Sequence, residues 1–336
     1  MKFRGYVTAC ALGLGAAALL SAGRIGAEPP RRAPLPPADK STAGQVVFVR
    51  ASYTEGERTM RSQIYKMDAD GGHTVKLSKD PYYAVWPDVH HKTRRIVFWS
   101  ERPPGGLFTM NMDGWDVRFI PNAPPGSLYP KWGKSASDPF IVYIATLSRQ
   151  NSAVYRIRPD GTGLKQLTVT EGQEADEAVD VAGDKYIIFA RRLWKGRHDR
   201  DLFLKSMKDD RAPVNLTKTR EVTETLPAVS HDGRKIAYRV VRESDEEIHV
   251  AELDTKARSI RLLHVIRMGP PAVHNLTGID FSADDERLFF SVEVTDVSER
   301  WLSHRQEVFS VRLDGSEWTR LTRNGEMDAW PSVVAR

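Results

Sequence analysis

A short two-stranded unit recurs along this chain, and it constrains the fold more than any other sequence feature. In residues 64–78 an alternating apolar and polar strand leads into Asp70-Gly71, and a second short strand ends in Leu77-Ser78. Asp-Gly favours tight hairpin turns because glycine adopts positive φ without steric strain. Variants of the unit occupy residues 107–114, 154–168, 202–217, 248–263 and 308–322. The six copies are spaced by roughly 43 to 59 residues, as propeller blades are.

A second kind of strand pair lies between the repeated hairpins. These pairs cover residues 86–89 with 95–100, 129–132 with 139–146, 178–181 with 185–191, 227–230 with 234–241 and 279–282 with 287–294. Strands at 45–50 and 329–334 are left over at the two ends, and their pairing would complete a sixth set. We therefore predict an all-β fold, a six-bladed β-propeller of four-stranded blades closed by pairing of the N- and C-terminal strands in one blade.

The first 44 residues differ from the rest. Residues 1–27 have a basic start, an apolar centre and small residues at the end, as in a signal peptide. The apolar run is shorter than the roughly 20 residues that span a bilayer, although an uncleaved anchor stays open. Residues 28–44 are rich in proline and indicate a flexible tether before a propeller at 45–336. We expect a periplasmic or secreted protein.

Composition excludes several other classes of protein. Cys10 is the only cysteine, so the chain has no internal disulfide and no cysteine-ligated zinc. The net charge of +5 owes much to basic residues before residue 33, so we expect no nucleic-acid partner.

The repeat resembles that of the TolB-type propellers, which carry WD40-like repeats. The matching residues are 67–71 (Met-Asp-Ala-Asp-Gly), Leu167-Thr168, Pro227, Asp232-Gly233 and 236–238 (Ile-Ala-Tyr). The resemblance implies a six-bladed propeller that is often periplasmic. Its namesake is a partner-binding component of an envelope complex and carries an N-terminal α/β domain, where this sequence has the tether. Related repeats also occur in propellers attached to peptidases and in polysaccharide-lyase-type enzymes, so the resemblance leaves function open.

Longer loops carry binding sites more often than tight turns do, which favours the face where blades connect. Residues at the ends of the connecting loops are expected to ring the mouth of the central channel with acidic and aromatic groups. They are Tyr82, Tyr83, Trp86, Tyr129, Glu174, Asp176, Glu177, Glu224, His274, Glu326 and Asp328. A basic rim is expected farther out, formed by Arg191, Arg192, Lys195, Arg197 and Arg200. Solvated loop charges without a ligand are the alternative interpretation of both sets. His90 and His91 are predicted to be exposed in a turn on the opposite face.

The sequence contains no nucleophile elbow, zinc-protease motif or phosphate loop. We therefore predict a non-catalytic binding or scaffold propeller, without a cofactor or metal site, that holds a protein or peptide partner of the cell envelope at the channel mouth. We expect a monomer that contacts a membrane only if the N-terminal segment is uncleaved. The alternative is an enzyme acting on an extracellular anionic polysaccharide, with calcium at the acidic mouth.

Overall fold

The computed structural model describes residues 44–53, 60–124, 126–148, 151–172, 174–193, 200–243, 245–269, 272–294 and 305–335. All of these belong to one compact unit, residues 38–336. The signal segment and all of the tether except Gly44 lie outside the described residues. In the described part, no helix has the length and apolar character needed to cross a membrane.

The described chain consists of strands joined by turns and loops. The first three strands are β1 (Gly44–Tyr53), β2 (Met60–Asp68) and β3 (Val75–Lys76). The next eight are β4 (Ala84–Val89), β5 (Arg95–Ser100), β6 (Gly106–Asn111), β7 (Arg118–Phe119), β8 (Ser127–Trp132), β9 (Ile141–Thr146), β10 (Ser152–Ile157) and β11 (Lys165–Gln166). Then follow β12 (Ala175–Ala182), β13 (Tyr186–Arg192), β14 (Arg200–Ser206), β15 (Val214–Asn215), β16 (Thr223–Val229), β17 (Lys235–Arg242), β18 (Asp245–Asp254) and β19 (Ser259–Arg267). The last five are β20 (Ala272–Phe281), β21 (Arg287–Val294), β22 (Gln306–Arg312), β23 (Thr319–Arg320) and β24 (Met327–Ala335).

Four sheets contain four strands each, in the orders β24-β1-β2-β3, β4-β5-β6-β7, β8-β9-β10-β11 and β20-β21-β22-β23. Strands β12 to β19 form one sheet of eight, which differs from the predicted set of separate four-stranded sheets. The difference arises because β14 and β16 meet in parallel at one residue pair, Arg200 with Thr223. All other neighbours in this sheet are antiparallel.

Strand β1 pairs with β2 on one side and with β24 on the other, both antiparallel. The β24 pairing runs from Gly44 opposite Ala335 to Ala51 opposite Met327. Strands from both ends of the described chain therefore share one sheet.

The core lies between neighbouring sheets. Alternation along the strands gives each sheet apolar side chains on both faces. Val47 and Ile64 of one sheet, for example, pack in one cluster with Ile96 and Phe108 of the next.

The glycines of the Asp-Gly turns are required by packing between sheets as well as by the turn. Gly114 has φ +82°, and a Cβ there would lie 2.1 Å from the carbonyl oxygen of Leu77 in the preceding sheet. A Cβ on Gly71 would lie 2.7 Å from the carbonyl oxygen of Leu321. No side chain fits at such distances, so the repeated glycine lets each hairpin turn contact the preceding sheet.

The Leu-Ser and Leu-Thr ends of the repeats also have a structural role. The hydroxyls of Ser78, Thr168, Thr217 and Thr322 each accept a hydrogen bond from a backbone N–H of the adjacent strand, at 2.8 to 3.1 Å. In each case the side-chain hydrogen bond takes the place of the next backbone hydrogen bond between the two strands. The short outer strands, β3, β11, β15 and β23, therefore pair over two residues only.

Candidate functional site at the central channel

Strands β4, β8, β12, β16, β20 and β24 converge on one central cavity. It is lined by Trp86, Pro87, Tyr129, Pro130, Lys131, Ala178, Val179, Leu226, Pro227, Thr277, Gly278, Ile279, Trp330 and Pro331. The cavity offers about 60 Å³ to the centres of water molecules. Because one buried water needs about 10–15 Å³ by this measure, the cavity has room for a few waters.

Four bulky residues at equal positions in these strands have left-handed backbone conformations. Trp86, Tyr129, Leu226 and Trp330 have φ values of 53°, 51°, 50° and 52°, and each precedes a proline. Each lies at a β-bulge, where the pairing register shifts. Such conformations cost about 1–3 kcal/mol each and occur preferentially at ligand-binding sites.

Three of these four residues form an aromatic cluster, with Tyr83 and Trp99 beside them. The Trp86 and Tyr129 ring centroids lie 4.4 Å apart, and those of Trp86 and Trp330 lie 6.1 Å apart. Trp86 is buried and the others are half-buried. The indole N–H of Trp86 is buried without a hydrogen-bond partner among the described residues.

A lysine surrounded by carboxylates lies at the next position along the strands. Lys131 donates a 2.9 Å hydrogen bond to Asp88. Burial lowers the pKa of Lys131, but the negative charges of Asp88, Asp180 and Asp280 raise it by more. The net pKa therefore lies well above the usual value for lysine. Burial raises the pKa of Asp280, which Lys131 opposes. One ammonium therefore interacts with carboxyl groups from three strands, β4, β12 and β20.

Side-chain acceptors also join successive sheets around the channel. Each accepts hydrogen bonds of 2.7 to 3.1 Å from backbone N–H groups of a neighbouring strand or turn. The pairs are Ser332 with Val89, Asp88 with Trp132, Asp184 with Lys134 and Ser135, Asp180 with Val229, Asp285 with His231 and Asp232, and Asp280 with Val333. Strands β8 and β16 have Lys131 and Ala228 where the other channel strands have an acceptor. The turns after these two strands instead donate to an aspartate from the turn after the next channel strand, Asp184 after β12 and Asp285 after β20.

Two histidines meet at the far end of the channel strands. His91, after β4, contacts His231, after β16, with ring centroids 3.7 Å apart. Burial and then electrostatic repulsion by His231 lower the pKa of His91 to about 2, so its ring is neutral. The prediction that His90 and His91 are exposed was wrong. His90 is 1% exposed, because its ring packs on Trp132 and lies 3.0 Å from the carbonyl oxygen of Ser135.

Of the residues predicted at the mouth, Trp86 and Tyr129 line the cavity. Asp176 is fully buried, and its carboxylate lies 2.7 Å from Arg191, which was predicted on the outer rim. Asp328 is also buried, and it pairs with Arg50 at 2.7 Å.

The other half-buried charges at this end also lie close to partners. Glu177 accepts a 2.5 Å bond from Arg200 and lies 3.9 Å from Arg192. Glu174 lies 3.6 Å from Arg191. Three of the predicted acidic residues thus pair with three of the predicted basic residues.

The remaining predicted residues lie in varied surroundings. Tyr82 is 38% exposed, His274 is exposed, and Tyr83 and Glu326 are half-buried. Lys195 and Arg197 lie outside the described residues.

Glu224 is 3% exposed and accepts a 2.9 Å bond from the Thr219 hydroxyl. Burial and then the nearby Asp201 raise the pKa of Glu224 to about 7.

Sequence reasoning missed Asp88, Lys131, Asp180 and Asp280. The sequence does contain a signal for them, because each is a charged residue that follows apolar positions within a buried strand. Unpaired charges are rarely buried, so a charge at such a position indicates a buried partner. Across the described residues, no three histidine, cysteine or carboxylate side chains are grouped as a metal ion would need.

The sequence matches no protein-family model and no curated protein. Solved structures do match in three dimensions. TolB from Acinetobacter baumannii aligns with a TM-score of 0.66 and 16% identity, over 87% of this chain and 67% of that chain. The fold is a TolB-like β-propeller.

Propellers with other roles resemble this TolB-like fold as well. A chain of a nidogen/laminin complex aligns with a TM-score of 0.61 and 9% identity, over 87% of this chain and 98% of that chain. Oligogalacturonate lyase in complex with manganese aligns with a TM-score of 0.52 and 11% identity, over 85% and 82%. At these identities the likeness defines the fold and leaves activity open.

Proposed function

We propose that the chain is a six-bladed propeller in which the pairing of β1 with β24 closes the ring. Six strands line one cavity, which supports this count. The hydrogen bonds around the channel include one that joins β24 to β20 and one that joins β4 to β24. The eight-stranded sheet then comprises two blades that touch at Arg200 and Thr223.

We propose that this propeller is a non-catalytic binding or scaffold module that holds a protein or peptide segment at the channel mouth. The observation that carries the proposal is the half-buried aromatic cluster above a channel of about 60 Å³. Pockets for small ligands usually measure about 300–1,000 Å³. A macromolecular partner instead buries aromatic side chains at a surface, where they supply much of the binding energy.

Further support comes from the similar structures and from the sequence. One similar structure is a nidogen/laminin complex. The signal-like residues 1–27 and the likeness to TolB support a periplasmic or secreted location. The partner is then a component of the cell envelope or the extracellular space, and the paired charges at the mouth would flank it.

Site-specific photo-crosslinking tests this assignment. Benzoylphenylalanine in place of Tyr82 at the mouth should give a crosslinked adduct in an envelope extract of the source organism. The same group in place of Trp115, on an outer turn, is the matched control. Trp115 is 62% exposed and Tyr82 is 38% exposed, so random collisions would favour the control. Equal adducts at both positions, or adducts at Trp115 alone, would show that the mouth is not the binding surface.

An enzyme acting on an anionic polysaccharide is the second candidate. The likeness to oligogalacturonate lyase favours it, and a carboxyl group with a pKa of about 7, such as that of Glu224, suits a general acid. The burial of Glu224 opposes this role, because a polymer cannot reach it in this conformation. Release of unsaturated products from polygalacturonate, with and without added calcium or manganese, would establish the enzyme and exclude the binding module.

A further inference from the structure

Strand β19 differs from the outermost strands of the other sheets. Strands β3, β7, β11, β15 and β23 have two residues each, whereas β19 runs for nine residues, Ser259–Arg267. It is the last strand of the eight-stranded sheet and pairs with β18 along one side. Within the described residues no strand pairs with its other side. A nine-residue strand spans about 30 Å.

The sequence of the hairpin explains this length. Residues 254–258 (Asp-Thr-Lys-Ala-Arg) connect β18 to β19, and no Asp-Gly pair turns the chain toward the preceding sheet. Position 267 holds Arg267, where four of the other five repeats have a serine or threonine that ends the ladder. The interstrand pairing therefore continues from Asp254 opposite Ser259 to Glu247 opposite Arg267.

The side chains of this edge are exposed and basic. Residues 256–267 contain Lys256, Arg258, Arg261 and Arg267, and they contain no carboxylate. The Arg261 and Arg267 side chains are 71% and 78% exposed, although they pair with Glu252 and Glu247 of β18. Leu262 is 51% exposed between them.

We propose that β19 is a docking edge for an extended acidic peptide, which adds to the sheet as a further strand. The open side of β19 presents backbone N–H and C=O groups, and such edges bind extended segments through main-chain hydrogen bonds. The four cations select carboxylates in the incoming strand, and Leu262 provides an apolar contact. A second copy of β19 is disfavoured because it would bring the same positive charges together. This edge is separate from the channel mouth, so the inference does not depend on the function proposed above.

The probe is a fluorescein-labelled nine-residue peptide with blocked ends that alternates glutamate with valine. One control peptide replaces each glutamate with lysine. Another keeps the glutamates and carries N-methyl groups on alternate backbone amides, which removes ladder hydrogen bonds and retains the charge. The protein is used at full length, in the unaltered form and as Arg261→Glu. The matched control variant is Lys76→Glu, which makes the same change on the exposed two-residue strand β3.

We expect saturable anisotropy of the acidic peptide, with at least tenfold weaker binding of both control peptides and at least tenfold weaker binding to Arg261→Glu. Lys76→Glu should bind within twofold of the unaltered protein. Hydrogen exchange of backbone amides should slow within residues 259–267 when the peptide is bound. Circular dichroism of each variant reports folding, so a loss of binding in a folded protein supports the proposal.

The proposal is overturned if the acidic peptide fails to bind, or if backbone methylation leaves its affinity unchanged. It is also overturned if exchange slows only outside residues 259–267. Sedimentation velocity tests the other occupant, because a dimer whose formation protects the β19 amides would assign this edge to a second copy of the chain.

Discussion

Replacing Lys131 with methionine should destabilise the whole propeller, although it removes only one charge. Lys131 is the ammonium among Asp88, Asp180 and Asp280 in the channel. Methionine has a similar length and fills the same space, so the main change is electrostatic. Removing one partner from a buried ion pair costs about 3–5 kcal/mol, because the other charge is left unbalanced. At about 2–4 °C per kcal/mol, the midpoint of thermal unfolding should fall by about 6–20 °C.

The loss should depend on pH, with a defined sign. Burial raises the pKa of Asp280 and Lys131 opposes that rise, so without Lys131 the pKa of Asp280 in the folded protein lies further above the unfolded value of about 3.9. At pH values between the unfolded pKa and the raised folded pKa, the folded state then binds more protons than the unfolded state. The stability deficit of the Lys131→Met variant, relative to the unaltered protein, should therefore shrink as the pH falls from 7.5 to 5.

Urea unfolding followed by tryptophan fluorescence at pH 7.5 and pH 5 measures both effects. Lys76→Met, at an exposed position of β3, is the matched control and should change the free energy of unfolding by less than about 0.5 kcal/mol. The reasoning fails if the Lys131→Met variant has the same urea midpoint as the unaltered protein at pH 7.5. It fails equally if its deficit does not shrink at pH 5.

Three further predictions concern turns, acid and the chain ends. Gly114→Ala should lower the free energy of unfolding by about 2–3 kcal/mol through its clash with Leu77, whereas Gly233→Ala, at φ +72° with open space around it, should lower it less in the same urea titration. His91 has a folded pKa of about 2 and an unfolded value near 6.5, so it should remove about 1.4 kcal/mol of stability between pH 8 and pH 5.5. That dependence should vanish in His91→Gln, measured by urea unfolding across the pH range. Deleting residues 329–336 removes most of β24 and should abolish cooperative unfolding in calorimetry, while retention of the original midpoint would contradict the closed ring.

The strands could be predicted from the sequence because apolar alternation and Asp-Gly turns are local signals. The Asp-Gly hairpin at residues 64–78, for example, is present as β2 and β3. The contact between Arg200 and Thr223 could not be predicted, because it consists of a single residue pair and no repeated sequence pattern marks it. Strand β19 is long because its hairpin lacks the Asp-Gly turn and the serine or threonine at the end of the repeat. Its length becomes evident only from the register of its pairing with β18.

The site was predicted less well because charges were assigned to loops without the register of the strands. Asp176 lies opposite Arg191, and Arg50 lies opposite Asp328, as cross-strand pairs. Placed in register, these residues would have been recognised as buried ion pairs. The channel aspartates were missed for another reason. Asp88 follows Trp86-Pro87 in a predicted strand, but the partners of its buried carboxylate lie in the next sheet, and the local pattern does not place them there.

The pairing of β1 with β24 has a consequence for the nascent chain during synthesis, because the two strands lie at opposite ends of the described sequence. Strand β1 leaves the ribosome first among the described strands, and its partner β24 leaves last. Synthesis of the roughly 270 residues between them takes about 14–55 s at 5–20 residues per second. During that time one side of β1 has no native neighbour, so the nascent chain exposes an unpaired strand edge that can pair with other chains.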